Sequence, residues 1–228
     1  VSSTTYFPPV QVPVSYSRIT DFEKCPRYFY HKYIAKSFKE DLAAMSAGLQ
    51  QHKQIEEFIR CGAPLPKHIA HLKDLIANLQ RTHEWLEPEK ELAVDAYWAP
   101  VSWQDWDHVY IRAKLDVIGR RRPGELTIID WKSGKVSEGR DQMRLAVAVA
   151  MAEYPDTELV RAAYVWTQHR QSDHFVVPRE EVEEIREHFD ERAYEIQVAG
   201  ATGNWRPRPS RFCKRCSVSP QHCEYKRR

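Results

Sequence analysis

The chain of 228 residues is short of several features, and each shortage removes a class of protein. No apolar run approaches the roughly 20 residues that cross a bilayer, so no membrane span is expected. Val1 to Val14 lack the basic-then-apolar layout of a secretory signal, which favours an intracellular protein in the cytoplasm, or in the host cytoplasm for a viral chain. No Gly-x-x-x-x-Gly-Lys-Ser/Thr occurs, so any nucleotide-driven motor must be a separate protein. Low-complexity tracts and internal repeats are also missing. Five cysteines, an odd number, argue against a closed disulfide framework. Net charge is slight, at +2, but unevenly placed. Eight Lys or Arg stand against Glu224 alone between Trp205 and Arg228, leaving the remainder acidic. Such a tail suits phosphate or an acidic partner.

What is present supports a globular α/β protein. With 42% hydrophobic residues the length allows one substantial core. We expect a single unit over 1–228, divided into an extended arm (1–14), a helical segment (15–88), a core (89–200) and a basic, cysteine-bearing tail (201–228). Ser17 can cap a short helix, and Pro26 can start a second with aromatics at 28, 29, 30 and 33. Helical spacing recurs over Met45–Ile59 and Pro66–Leu86. The period then shortens: Glu91–Trp98, His108–Gly119 and Glu125–Lys132 alternate as strands do. Val109, Ile111, Ala113, Leu115 and Val117 should share one face, and Arg112, Lys114 and Asp116 the other. Arg120–Gly124 reads as a turn. Gln142–Met151 is apolar almost all round, as in a helix buried on a sheet. Leu159–Thr167 and His174–Val177 are further strands, and a helix with an acidic first turn follows Pro178.

Alternation places Asp130 and Lys132 on one side of their strand. If the preceding strand pairs with it, Asp116 projects toward the same pocket. Two carboxylates there suit a hard divalent cation, Mg²⁺ or Mn²⁺. Such an ion activates water and neutralises charge on a scissile phosphate, with Lys132 beside it to stabilise the transition state. His52, on an upstream helix, can add an imidazole ligand. Asp116 lies in an apolar strand, where a charge is costly without a partner.

The order His52, Lys-Leu-Asp116, Ile-Ile-Asp130-Trp-Lys132, Gln142 resembles the RecB-like branch of the PD-(D/E)XK nuclease superfamily. Ser15-Tyr-Ser-x-Ile-x-x-Phe-x-x-Cys25-Pro-Arg-Tyr-Phe and Cys213-x-x-Cys216-x6-Cys223 resemble its iron–sulfur subset. That subset includes CRISPR-associated RecB-like exonucleases, the AddB nuclease domain and phage exonucleases. The resemblance spans about Ser15 to Cys223. It implies a restriction-endonuclease-like core, a central mixed sheet flanked by helices, with an N-terminal helical segment and a C-terminal iron–sulfur clasp. His52, Asp116, Asp130 and the backbone carbonyl of Trp131 become metal ligands. Lys132 becomes the catalytic lysine, and Gln142 positions the active site or DNA. Glu91 falls where members carry an acid on the first core strand. Two positions depart from the pattern: Ala146 replaces the tyrosine four after the glutamine, and Ala113 replaces the frequent glycine before Asp116.

Cys25, Cys213, Cys216 and Cys223 supply four thiolates, enough for a 4Fe–4S cluster or a zinc ion. The resemblance selects iron–sulfur, a staple joining the two ends of the chain. Cys61 has no companion and is a plain core or surface residue. Arg27, Tyr28 and Tyr30, with Phe29, Lys32 and Tyr33, can stack on and clamp a single strand, although many of these rings should be core. The expected activity is metal-dependent exonucleolytic hydrolysis of DNA, on single-stranded or overhang ends, in DNA processing, recombination, repair or CRISPR adaptation. A separate helicase, recombinase or adaptation protein is the expected partner. The alternative is a non-catalytic DNA-binding or adaptation subunit with the same fold and cluster.

Overall fold

A computed structural model describes residues 12–38, 43–137 and 139–226, with the side chains of 43–47 outside the description. Six strands form one mixed sheet: β1 (Trp85–Val94), β2 (Pro100–Val101), β3 (Ile111–Arg122), β4 (Glu125–Lys132), β5 (Leu159–Trp166) and β6 (Gln171–Pro178). Their order across the sheet is β2-β1-β3-β4-β5-β6, and β4 with β5 is its parallel pair. β4 sits near the middle because Leu126-Thr-Ile-Ile129 forms an almost continuous run that can be covered on both faces. Pro123 and Gly124 alone turn β3 into β4, with Gly124 at φ +77°. The arginines expected in that turn extend the ladder instead, because Arg122 and Arg121 are held by the buried carboxylate of Glu125.

Helices cover both faces. α1 (Tyr16–Lys24), α2 (Pro26–Phe29), α5 (Asp141–Glu153) and α6 (Val182–Thr202) lie over one core, around Phe29, Ile118, Ile128, Val147 and Phe189. α3 (Ala43–Cys61) and α4 (Lys73–Thr82) cover the other, around Ile55, Ile76, Val117, Ile129 and Trp131. α5 is the crossover between the parallel strands, and its run from Leu145 to Met151 is buried.

Several boundaries differ from expectation. The expected arm falls mostly on residues 1–11, outside the described residues, while Val14 is fully buried and bridges to Ile111. α4 ends at Thr82, and β1 begins at Trp85 rather than at Glu91. Its polar stretch Glu87–Glu91 hides the strand period, yet all of it except Glu89 is paired to β3. β3 does not keep one apolar face either. Leu115 packs under α5 and α6, whereas Val117, two residues on, packs under α3 and α4. Alternation therefore resets at Asp116. The residue opposite, Glu89, adopts φ +54°, a left-handed conformation that costs a non-glycine residue about 1–2 kcal/mol.

Asp21 ties α1 to the turn after α2. Its oxygens accept hydrogen bonds from Lys24 Nζ, Lys32 Nζ and Tyr33 Oη, each at 2.8 Å. Burial alone would raise its pKa, but these bonds outweigh it and hold the carboxyl below its ordinary value. Its contribution is thus present above the unfolded pKa and is lost as pH falls through the folded one. Asp21→Ala should destabilise the protein by about 2 kcal/mol at pH 7. Chemical denaturation should show that deficit narrowing in acid; a deficit unchanged with pH would contradict the assignment.

Candidate active site

Past the pair Val117–Ile129, β3 and β4 separate, and β4 continues beside β5 alone. The gap between them opens a cleft of about 470 Å³, lined by Asp116, Asp130 and Gln142 among others. Asp116 Oδ2 accepts a 2.7 Å hydrogen bond from the Trp131 backbone N–H, which fixes its rotamer. His52 reaches in from α3. Its Nδ1 lies 3.2 Å from Asp116 Oδ1, and its Nε2 lies 2.9 Å from the Trp131 carbonyl oxygen. Both ring nitrogens therefore face acceptors. Burial pulls the His52 pKa down, but the bond and charge of Asp116, with Asp130 and Glu89, more than reverse this and raise it. α3 is held at this depth by its neighbour Gln51, whose Nε2 donates to Thr167 Oγ1 at 2.8 Å; the Thr167 N–H donates to Lys132 O at 2.9 Å.

On β4, Asp130 and Lys132 meet Gln142 from the first turn of α5. The Gln142 amide donates to Asp130 Oδ1 at 3.0 Å and accepts from Lys132 Nζ at 2.9 Å. Lys132 Nζ is also 2.7 Å from Asp130 Oδ2, an ion pair by distance. Oδ2 is buried, and the Lys132 ammonium is its one polar contact among the described residues, set outside good hydrogen-bond geometry. Burial, followed by the charge of Asp116, raises the Asp130 pKa despite Lys132 and His52. An oxygen in that position fits a bound cation. One ligand atom each from His52, Glu89 and Asp116 also lie within 4.8 Å of one another. With Asp130 and the Trp131 carbonyl nearby, this oxygen-rich donor set suits Mg²⁺ or Mn²⁺.

The profile of the PD-(D/E)XK nuclease superfamily matches residues 13–226. The chain belongs to that superfamily. No curated protein matches this PD-(D/E)XK chain. Among solved structures, a candidate exonuclease from Eubacterium rectale is 14% identical at TM-score 0.56, covering 95% of this chain and 92% of its own. SSO0001 is 15% identical at TM-score 0.45, covering 90% of this chain and 85% of its own. The first likeness concerns the fold. No helix among the described residues is long and apolar enough to cross a membrane.

The structure thus places Asp116, Asp130 and Gln142 on one cleft and joins His52, Trp131 and Lys132 to them by hydrogen bonds and ion pairs. It adds two residues to those expected. Glu89, rather than Glu91, turns toward His52 and Asp116; Glu91 is exposed and comes within 4.0 Å of Lys114. Tyr164 is the register partner of Asp130, its ring 5.2 Å from Lys132 Nζ and its hydroxyl accepting from Met143 N at 3.1 Å. A strand-to-strand register would have found Tyr164, but no local signal marks the left-handed Glu89.

The aromatic segment is placed differently from the expected strand clamp. Tyr28 is buried, with Phe212 and Phe38 against its ring. Arg27 donates to the carbonyls of Trp205 at 3.0 Å and His222 at 3.4 Å, and Tyr30 packs on Trp205. All three fasten the C-terminal tail, because the rings find more apolar contact there than a solvent-facing clamp offers. The same tail carries the cysteines. Cys25, Cys213, Cys216 and Cys223 line one small cavity with Tyr28, Phe212 and Val218. Backbone N–H groups of Arg208 and Ser210 point at Cys25 Sγ and Cys213 Sγ, both at 3.4 Å. Cys61 is exposed at the end of α3.

Glu89 carries backbone strain at the position where it contributes a carboxylate. Because Glu89 also pairs with Lys114 at 2.8 Å, the strain is read by comparing variants that both lose this pair: metal-free Glu89→Gly should be about 1 kcal/mol more stable than Glu89→Ala. The same change should shrink the rise in melting temperature produced by Mn²⁺. A Gly variant no more stable than the Ala variant, with an undiminished Mn²⁺ response, would contradict both roles.

Proposed function

We propose that the protein is a divalent-metal-dependent deoxyribonuclease that trims DNA from single-stranded ends, stapled by a 4Fe–4S cluster. The reading rests chiefly on one observation: the buried Asp130 carboxylate is gathered with Asp116, His52, Lys132 and Gln142 where β3 and β4 separate, one ligand atom each from His52, Glu89 and Asp116 lying within 4.8 Å of one another. His52, Glu89, Asp116, Asp130 and the Trp131 carbonyl would hold Mg²⁺ or Mn²⁺, which supplies Lewis acidity to the scissile phosphate. The remaining chemistry belongs to the side chains. Lys132 presents an ammonium at the cleft, where it can stabilise charge growing on a phosphate oxygen or give a proton to the departing one. Gln142 holds that ammonium and the Asp130 carboxylate at fixed separation. The Tyr164 ring face limits where the ammonium can swing. The Trp131 N–H keeps Asp116 from turning away. The Eubacterium rectale neighbour, itself a candidate exonuclease, supports action at ends.

For the cluster, the support is the convergence of all four cysteines on one cavity and the N–H groups directed at two of the sulfurs. Thiolate sulfurs that accept backbone hydrogen bonds are a setting in which Fe–S potentials are tuned. The cluster would join residue 25 to residues 213–223, closing a long loop.

End-labelled single-stranded oligonucleotides with Mn²⁺ test the activity. Wild type should shorten them, and Lys132→Ala should cut about 10²-fold more slowly or worse while keeping its Mn²⁺-induced thermal shift. No cleavage by wild type, or cleavage unchanged in Asp130→Ala, would overturn the assignment. Iron and sulfide analysis of anaerobically purified protein tests the cluster. Four irons per chain, lost in Cys213→Ser with a lower melting temperature, is expected; stoichiometric zinc without iron would refute it.

A further inference from the structure

Residues 102–110, between β2 and β3, carry two tryptophans that the catalytic chemistry leaves without a use. Successive turns stiffen the segment: Asp105 N donates to Ser102 O at 3.0 Å, Val109 N donates to Asp105 O at 2.9 Å, and the His108 ring meets the Asp105 carboxylate at 2.9 Å. Trp103 lines the same cleft as Asp116, Asp130 and Gln142. Trp106 leaves 57% of its surface exposed, an unusual setting for the largest apolar side chain.

Arg112, on β3, joins these rings to the cleft. Its guanidinium lies 4.7 Å from the Trp103 ring centroid and 4.9 Å from that of Trp106. Arg18, from α1, lines the cleft as well, with its guanidinium 4.9 Å from the Tyr33 ring. Among the described residues, neither arginine has a carboxylate at ion-pair distance. Burial lowers the pKa of both, and the charge of Arg112 lowers Arg18 further. Glu91 acts on Arg112 only through its charge and does not reverse that lowering, so two half-buried like charges side by side mark a place where an anion lowers the energy.

We propose that Trp103, Trp106, Arg112 and Arg18 form a subsite for one unpaired nucleotide beside the scissile position. The base stacks on the indoles, and the phosphate sits between the two guanidiniums. An indole platform needs a base with a free face, so the subsite takes single strands and overhangs in preference to blunt duplex. The proposal rests on the nuclease reading and deepens it, by naming the form of DNA that enters.

Fluorescence anisotropy with a labelled oligothymidylate, on the full chain in EDTA, reads binding without cleavage. Trp106→Ala changes an exposed residue and should weaken binding about tenfold. Arg112→Gln should weaken it similarly and flatten the dependence of log K on log salt by about 0.7, the contribution of one phosphate contact. Arg112→Lys should restore the salt slope. Affinity for blunt duplex should change far less in Trp106→Ala. Wild-type affinity for the oligonucleotide in both Trp106→Ala and Arg112→Gln would overturn the subsite, as would equal losses on single strand and duplex. Failure of the two readings separates cleanly. If these variants lose binding but metal-loaded wild type cuts no bound strand, the nuclease reading fails and the subsite stands. If Trp106→Ala cuts single strands with an unchanged KM, the subsite fails and the nuclease reading stands.

Discussion

Asp116 and Asp130 stand on adjacent strands inside one cleft, where burial and the neighbouring charge of Asp116 both oppose the ionisation of Asp130. Charges placed this way are retained only with compensation on every side. The structure supplies it from four directions: the His52 ring from α3, the Trp131 N–H from β4, the Gln142 amide from α5 and the Lys132 ammonium from β4. Even so, burial and the charge of Asp116 outweigh Lys132 and His52 and leave the Asp130 pKa raised. A divalent cation, as proposed, would complete that electrostatic balance.

This requirement explains much of the architecture. His52 and Gln142 come from helices on opposite faces of the sheet, so both can reach the carboxylates only where the sheet opens. It opens where β3 leaves β4 after Val117, and there the alternation of β3 resets. Left-handed Glu89 sits opposite the reset and contributes a further carboxylate. Strain, splayed strands and concentrated charge thus coincide within a few residues. The tail is secured separately, by Arg27, Tyr28 and Tyr30 acting as fasteners.

Much of this was legible in the residues. β4 is legible with its observed bounds because its apolar run is bracketed by a Pro-Gly turn and the charged site. α5 was equally plain, since a helix apolar all round has to be buried. Asp116, Asp130 and Lys132 followed from strand alternation, and His52 and Gln142 from their order in the chain. The rest depended on tertiary effects that local pattern does not carry. β1 was displaced because its polar residues are satisfied by cross-strand partners. The single apolar face expected for β3 broke at a reset visible only in three dimensions. For the aromatic cluster near Cys25, packed rings and stacking rings have the same composition, and only the tertiary contacts show which rings lie against the tail. The tryptophans of residues 102–110 have no helical or strand period, and their relation to the cleft appears only once Arg112 is seen against both.

A crystal structure of the protein soaked in Mn²⁺, with anomalous data, tests the central claim most directly. The account predicts a peak about 2.2 Å from oxygens of Asp116 and Asp130 and from the Trp131 carbonyl. Within the cleft, Asp130 Oδ2 should become a ligand. A cleft that stays empty while Mn²⁺ binds only at surface carboxylates would contradict it.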